Sequence, residues 1–200
     1  MDDVNHTGRE RQTRARARRW LLAPLWIALL VLVWEAWPFL PSAFRNPFYA
    51  MSLSFRRAPT ALPVPVAGVR PGQLRDTWGA PRGNGRGHEG VDIFAPRGTP
   101  VFSTTEGLVT RIGASELGGK SVWILGPGGQ HHYYAHLDTY ADLRVGDRVS
   151  AGTMLGTVGN TGNARNGPPH LHYGIYADGS AIDPYPLLRW RGAATAAAPR

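Results

Sequence analysis

His170-Leu171-His172 sets two imidazoles two positions apart, and in a strand positions i and i+2 face the same side. Far upstream, His88-Glu89-Gly90-Val91-Asp92 places an imidazole and a carboxylate four apart around a glycine, a spacing suited to a loop that turns into a strand. Between them lies Tyr134-Ala135-His136-Leu137, a histidine in a strand-like run. Three imidazole or carboxylate donors with an open fourth position are the makeup of a catalytic zinc site. Each piece alone has a plainer reading, since an HxH pair is commonly solvated and an HxxxD pair arises by chance. The three together point to metal chemistry. The chain has no cysteine, so disulfides and thiolate ligands are excluded, and any zinc must be held by histidine and carboxylate.

In this order, HxxxD, then YxHL, then HLH, the chain resembles the lysostaphin-type (LytM-type) zinc metallopeptidases. The surroundings match as well: Ile93 and Ala95-Pro96-Arg97-Gly98-Thr99-Pro100-Val101 follow the first motif, and Gly159-Asn160-Thr161-Gly162 precedes the last. The resemblance runs from about Leu62 to about Leu188. It implies that His88, Asp92 and His172 hold Zn2+. His170 shares a strand face with His172 by alternation, and His170 and His136 then suit a general base and a donor to the developing oxyanion. The residues do not say which is which. One departure from the family's pattern is the doubled proline of Pro168-Pro169-His170, which bears on the approach to His170 and removes no ligand.

The other candidates are weaker. Tyr134 and His132 share the strand parity of His136; the first is expected to be a packed tyrosine and the second a solvated strand residue. His131 faces the other way, and His6 lies in the basic N-terminal arm. Glu89 would be a general base only on an HExxH helix, and Gly90 followed by β-branched Val91 argues against a helix there.

Short apolar runs split by glycine-rich turns carry these residues: Gly107 to Ile112, Ser121 to Leu125, His131 to Leu137, Met154 to Val158 and His172 to Tyr176. This spacing predicts an antiparallel all-β domain over 62–190, which the resemblance refines to the duplicated hybrid motif or lysostaphin-like type. No stretch of it keeps helical periodicity over three turns. The segment Val145 to Gly156 is also similar to the half-barrel of lipoyl and biotinyl carriers. A carrier needs a lysine on an exposed hairpin, and the single lysine, Lys120, stands elsewhere. Trp78 to Gly87 is a glycine-rich loop that delivers His88 and can bring backbone close to a ligand.

The formal net charge of +8 raises the question of nucleic acid. Residues 1–60 hold nine arginines and four acids, a net of +5, so most of the excess lies outside the candidate domain and no nucleic-acid partner is expected. Six of those arginines stand in 1–19, just before Trp20 to Trp34, a run with no charged residue. With Glu35 near an interface, 20–40 is long enough to read as one N-terminal transmembrane helix, with tryptophans at both ends and a cytoplasmic basic arm at 1–19. Cleavage as a signal peptide is disfavoured, because Pro41-Ser42-Ala43 puts proline at the −3 position. Residues 41–61 read as a linker that either extends or folds back on the domain, and 191–200 as a disordered tail.

The expectation is therefore a zinc metalloendopeptidase on the bacterial inner (plasma) membrane, its domain periplasmic, acting on peptidoglycan peptide stems. The family's bonds divide between glycyl bridges and links joining D-alanine to a diamino acid. With only about ten residues after Trp190 and a short tether, the second is favoured. The rival reading is an inactive member that binds wall or activates amidases. Such members lack site residues, whereas all five are present here.

Overall fold

The computed structural model describes residues 24, 26–28, 31–35, 42–82, 85 and 87–189. The chain divides into two compact units, Met1–Arg45 and Asn46–Arg200. The basic arm, most of the apolar run 20–40 and the tail from 190 lie outside the described residues. Among the described residues, no helix is long and apolar enough to cross a membrane.

The second unit is a β-domain, and each of its strand pairings is antiparallel. In chain order the strands are β1 (Val91–Phe94), β2 (Pro100–Phe102), β3 (Gly107–Ser115), β4 (Gly119–Leu125), β5 (His131–Tyr140), β6 (Arg148–Val149), β7 (Met154–Val158), β8 (His170–Ala177) and β9 (Ser180–Ile182). They lie in the order β1-β8-β5-β4-β3-β6, with β7 joining β5 to β2 and β9 on β8. The apolar runs read from the sequence became β3, β4, β5, β7 and β8. Their β-branched and aromatic residues suit a half-buried pleated surface, and glycine-rich turns end them.

Alternation in β1 and β8 separates core from site. Val91 and Ile93 of β1, and Leu171, Tyr173 and Ile175 of β8, are essentially fully buried. They join Val122, Ile124, Tyr134 and Leu137 in one core cluster. Their neighbours Asp92, His170 and His172 point to the other face. The register pairs Asp92 with His172, and Ala135 of β5 with His172, so β8 lies between the two strands that complete the site.

Helix α1 (Ser42–Ser54) begins in the first unit, and from Asn46 onward it packs on the domain within the second. Leu53 is completely buried. The Asn46 amide donates to the Gly146 carbonyl at 2.9 Å, and the Arg148 guanidinium lies 4.2 Å from the centre of the Tyr49 ring. Of the two dispositions open to 41–61, the described segment from Asn46 takes the folded-back one. A short helix, α2 (Tyr185–Arg189), closes the described chain, and buried Leu188 caps the core.

Candidate metal centre

The loop before β1, β1 itself and β8 bring three side chains to one point. His88 Nε2 lies 3.0 Å from Asp92 Oδ1, His172 Nδ1 lies 3.2 Å from the same oxygen, and the two imidazole nitrogens are 2.9 Å apart. A tetrahedral zinc with ligand bonds near 2.0–2.1 Å holds its donor atoms about 3.3 Å apart, so the three stand close to the edges of such a tetrahedron. His88 and Asp92 are buried and His172 is partly so.

The hydrogen bonds explain why this arrangement calls for a cation. The Thr77 carbonyl can only accept, so His88 Nδ1 carries the proton and donates to it at 2.6 Å. With that ring neutral, His88 Nε2 is a bare lone pair facing a carboxylate oxygen, so a second proton or a metal ion must lie between them. Electron-pair donors at such distances repel unless a positive charge lies among them. Burial disfavours the charged Asp92 carboxylate, yet hydrogen bonds and positive charge from His172 and His88, which carry the extra protons when no metal is bound, outweigh this and hold its pKa far below the usual carboxylate range. Burial likewise pushes the His172 imidazole toward its neutral, ligating form, against the pull of Asp92. The donor set and its spacing fit zinc.

The loops before β1 orient the set. The Asp92 amide donates to Thr77 Oγ1 at 2.9 Å, and Arg82 Nη2 donates to Asp92 Oδ2 at 2.6 Å, leaving Oδ1 for the centre. Gly90 is required by close approach: a Cβ there would stand 2.6 Å from His172 Cε1 and 2.7 Å from the Tyr173 carbonyl oxygen. Thr77, Arg82 and Gly90 thus act on the site without being candidate ligands.

Two more imidazoles border the centre. His170 Nε2 is 3.8 Å from Asp92 Oδ1, and its Nδ1–H donates to the Pro168 carbonyl at 2.9 Å. The first of the doubled prolines therefore orients this ring. His136 lies with its ring centre 5.0 Å from that of His170 and 5.9 Å from that of His172. Its Nδ1–H donates to the Thr161 carbonyl at 2.8 Å. Burial and then the neighbouring His170 push its pKa down to about 4, partly offset by that carbonyl.

His136 reaches this face against the strand's alternation. Tyr134, of the same parity, is completely buried in the core. His136 has φ 62°, a left-handed backbone that a non-glycine residue adopts only when its surroundings impose it. Its amide donates to the Gly118 carbonyl at 2.8 Å, and the β5–β7 register shifts between Leu137 and Thr139. Thr161, which receives the imidazole proton, is itself pinned. Its Oγ1 accepts from the Lys120 amide and donates to the Leu137 carbonyl, each at 2.9 Å.

The structure thus brings together His88, Asp92, His136, His170 and His172. It corrects one expectation: His132 is not solvated but fully buried, because its parity follows Tyr134 into the core and Tyr173 OH meets its Nδ1 at 2.7 Å. Tyr134 packs as expected. Glu89 is exposed, lines the same cavity and is not among the three grouped donors. Tyr133 was missed; its ring meets His172 edge-on at 5.8 Å. A cavity of about 490 Å³, walled by His88, His136 and His172 and by Arg82, Tyr133 and Tyr176, opens the centre to solvent.

Residues 86–184 match the family model for peptidase family M23. The chain is 41% identical over 141 residues to an L-Ala–D-Glu endopeptidase of Bacillus subtilis, covering 64% of this chain and 43% of that protein. It is 34% identical to the DD-carboxypeptidase/endopeptidase Mpg of Neisseria meningitidis, covering 58% of this chain and 25% of that protein. Among solved structures, the catalytic domain of lysostaphin from Staphylococcus simulans superposes with a TM-score of 0.53 at 33% identity, over 60% of this chain and 96% of that domain. The chain belongs to peptidase family M23, whose relatives include peptidoglycan endopeptidases. It spans less than half the length of the curated relatives named here.

Proposed function

We propose that this protein is a zinc metalloendopeptidase that hydrolyses peptide cross-links of bacterial peptidoglycan. In this reading His88, Asp92 and His172 are the metal ligands, and His136 and His170 move the protons. The observation that carries it is the convergence of three electron-pair donors within 3.2 Å of one another, bordered by two further imidazoles. Zinc, when bound, supplies a Lewis acid that polarises the scissile carbonyl and acidifies water. One imidazole accepts a proton from the attacking water as the C–O bond forms, then passes it to the amide nitrogen as the C–N bond breaks. The products are a carboxylic acid and an amine, which exchange the remaining water proton to leave a carboxylate and an ammonium group. The other imidazole, protonated, donates to the carbonyl oxygen as negative charge gathers there. In their neutral tautomers both rings present a bare Nε2, since both Nδ1–H groups are engaged by carbonyls. One ring must therefore carry an extra proton for turnover, which gives a bell-shaped pH profile.

The favoured bond joins D-alanine to a diamino acid, in keeping with the name of the Neisseria relative. The L-Ala–D-Glu bond is the second reading, because the Bacillus relative named for it is 41% identical. Residues 20–40 form the proposed membrane anchor and put the domain on the periplasmic side; the charge-free run behind six arginines supports this.

The test uses the full chain. Elemental analysis should give near-equimolar zinc, lost in an Asp92→Ala, His172→Ala double variant; equal metal in both would remove the ligand assignment. Incubated with purified sacculi, the protein should convert cross-linked dimers to tetrapeptide monomers. Release of stems cut between the first two residues would favour the second bond. No change with zinc bound would favour an inactive wall-binding or amidase-activating role.

A further inference from the structure

Helix α1 is apolar on two sides, and the domain covers one. Asn46, Tyr49, Ala50 and Leu53 follow the i, i+3, i+4, i+7 spacing of a single helix face, and that face packs inward. Phe48, Met51 and Phe55 run along the other side and are 55%, 54% and 84% exposed. Phe55 continues the helical course, since its amide still donates to the Met51 carbonyl. A helix that is apolar all round normally has both sides covered.

The surroundings say what covers this one. The Asn46 amide holds the Gly146 carbonyl and so fixes the turn that carries Val145, which is 62% exposed. Arg56, Arg57, Arg144 and Arg148 are all exposed around the helix and this turn. Glu106 pairs with Arg56 at 2.6 Å, and Asp147 accepts from the Arg144 backbone amide at 2.8 Å and keeps its charge. Asp142 is an exposed acid of the same turn. The chain enters α1 from the apolar run that ends at Leu40, with Pro41 alone between that run and Ser42.

We propose that the Phe48-Met51-Phe55 side of α1 lies on the surface of an anionic phospholipid bilayer. The apolar side chains sit at the headgroup boundary, with Arg57 and Arg144 at the phosphates. This rests on reading 20–40 as an anchor, because a chain leaving the bilayer at Leu40 begins α1 at the membrane surface. The helix then acts as a spacer. It is about 10–12 Å thick with its side chains and holds the domain at a set height above the lipid instead of on a loose tether.

The native chain has no cysteine, so single dyes can be placed cleanly. Full-length Met51→Cys, Phe55→Cys and, as a control, Ser180→Cys would each carry a polarity-sensitive dye in vesicles of phosphatidylglycerol and phosphatidylethanolamine. Zinc content equal to that of the unlabelled chain checks that each stays folded. The dyes at 51 and 55 should shift to the blue and be quenched more by lipids spin-labelled near the headgroup than at mid-chain. The dye at 180 should show neither effect, and the shift should shrink when phosphatidylglycerol is replaced by phosphatidylcholine. A chain that floats with the vesicles while all three dyes stay in water overturns the docking and leaves the anchor standing. A chain that does not float overturns both, with the peptidase reading still judged by zinc and sacculi. Blue-shifted dyes that neither label quenches are covered by the chain itself, which overturns the bilayer assignment, and a shift unaffected by phosphatidylglycerol overturns the role of anionic lipid.

Discussion

The sheet presents histidines on both faces, His132 of β5 toward the core and His170 and His172 of β8 toward the site, and they meet opposite surroundings. On the core side, His132 lies among hydroxyls. Its Nδ1 is 2.7 Å from Tyr173 OH, and Thr104 Oγ1 is 2.8 Å from both Tyr134 OH and Tyr173 OH. A hydroxyl can donate or accept, so His132 Nδ1 and the three hydroxyls satisfy one another as neutral groups. On the other side, neutral His88 keeps its proton on Nδ1 for the Thr77 carbonyl and turns a bare Nε2 toward Asp92 Oδ1 and His172 Nδ1, and His136 and His170 turn bare nitrogens toward the same space. The same residue type on the same sheet is structural where its partners can adapt. It is chemical where every partner is an acceptor and the balancing charge must come from outside.

The sharpest way to break that contrast is to remove the rings that border the centre without belonging to the triad. His136→Ala and His170→Ala should each lower kcat by about 10²–10⁴-fold, the range of a lost general acid or base. Zinc content should stay near that of the parent, because neither ring completes the group of three donors. Zinc lost in step with activity would move these residues among the ligands.

How far the sequence discloses this site depends on how regular the carrying strand is. His170 and His172 share a face because β8 alternates cleanly, with Leu171 and Tyr173 buried between and beside them. In β5 alternation assigns His136 to the side of Tyr134 and His132, and there it fails. The left-handed turn at His136 is imposed by Gly118 and Thr161, which stand 18 residues before it and 25 after it in the chain, so no local pattern encodes it. Treating His132 as solvated was the reverse error, since its burial rests on Thr104 and Tyr173 from other segments. The glycine-rich loop reads as delivering His88, but the roles of Arg82 within it and of Thr77 just before it arise from contacts 10 and 11 residues along the chain that no local pattern marks. The all-β architecture was legible because turn residues and period-two burial are local properties. Helix α1 was not, because prolines at 41, 47 and 59 mask a segment that the domain itself holds in place.

The core side makes a pH prediction. Burial, followed by the nearby His131, pushes the His132 pKa down to about 4. Among the described residues its Nε2 has no hydrogen-bond partner, so a second ring proton would be buried without an acceptor there. In the unfolded chain the ring titrates near 6.5. Above that pH both states are neutral and His132 adds no pH dependence. As pH falls from about 6.5 to 4 the unfolded state gains the proton first, so stability falls, by about 3 kcal/mol over the window. Denaturant unfolding at a series of pH values should show this slope in the parent chain and a flatter one in His132→Gln. Equal slopes would place the acid sensitivity elsewhere.

The smallest effect expected sharpens the contrast at a single carboxylate. Asp92 turns Oδ1 to the imidazoles and Oδ2 to Arg82, whose side chain is 46% exposed while that of Asp92 is 8% exposed. A half-exposed pair of this kind adds only about 0–1 kcal/mol to the fold. Its work is orientation, since with Oδ2 occupied the carboxylate offers one oxygen at one angle. The guanidinium charge opposes a nearby dication, so orientation must outweigh repulsion if Arg82 is to help at all. Arg82→Ala should then weaken zinc binding by about 10–100-fold, the usual range for a partner behind a ligand, with little change in thermal unfolding of the metal-free protein. Arg82→Gln keeps a donor and drops the charge, so it should bind zinc more tightly than the alanine variant. Competition with a chromogenic chelator reads both affinities without any turnover. Affinity unchanged in Arg82→Ala would mean that the Thr77 contact and the strand register already aim Asp92. Alanine and glutamine variants equally weak would mean that the guanidinium fork itself, and not a single donated bond, holds the oxygen in place.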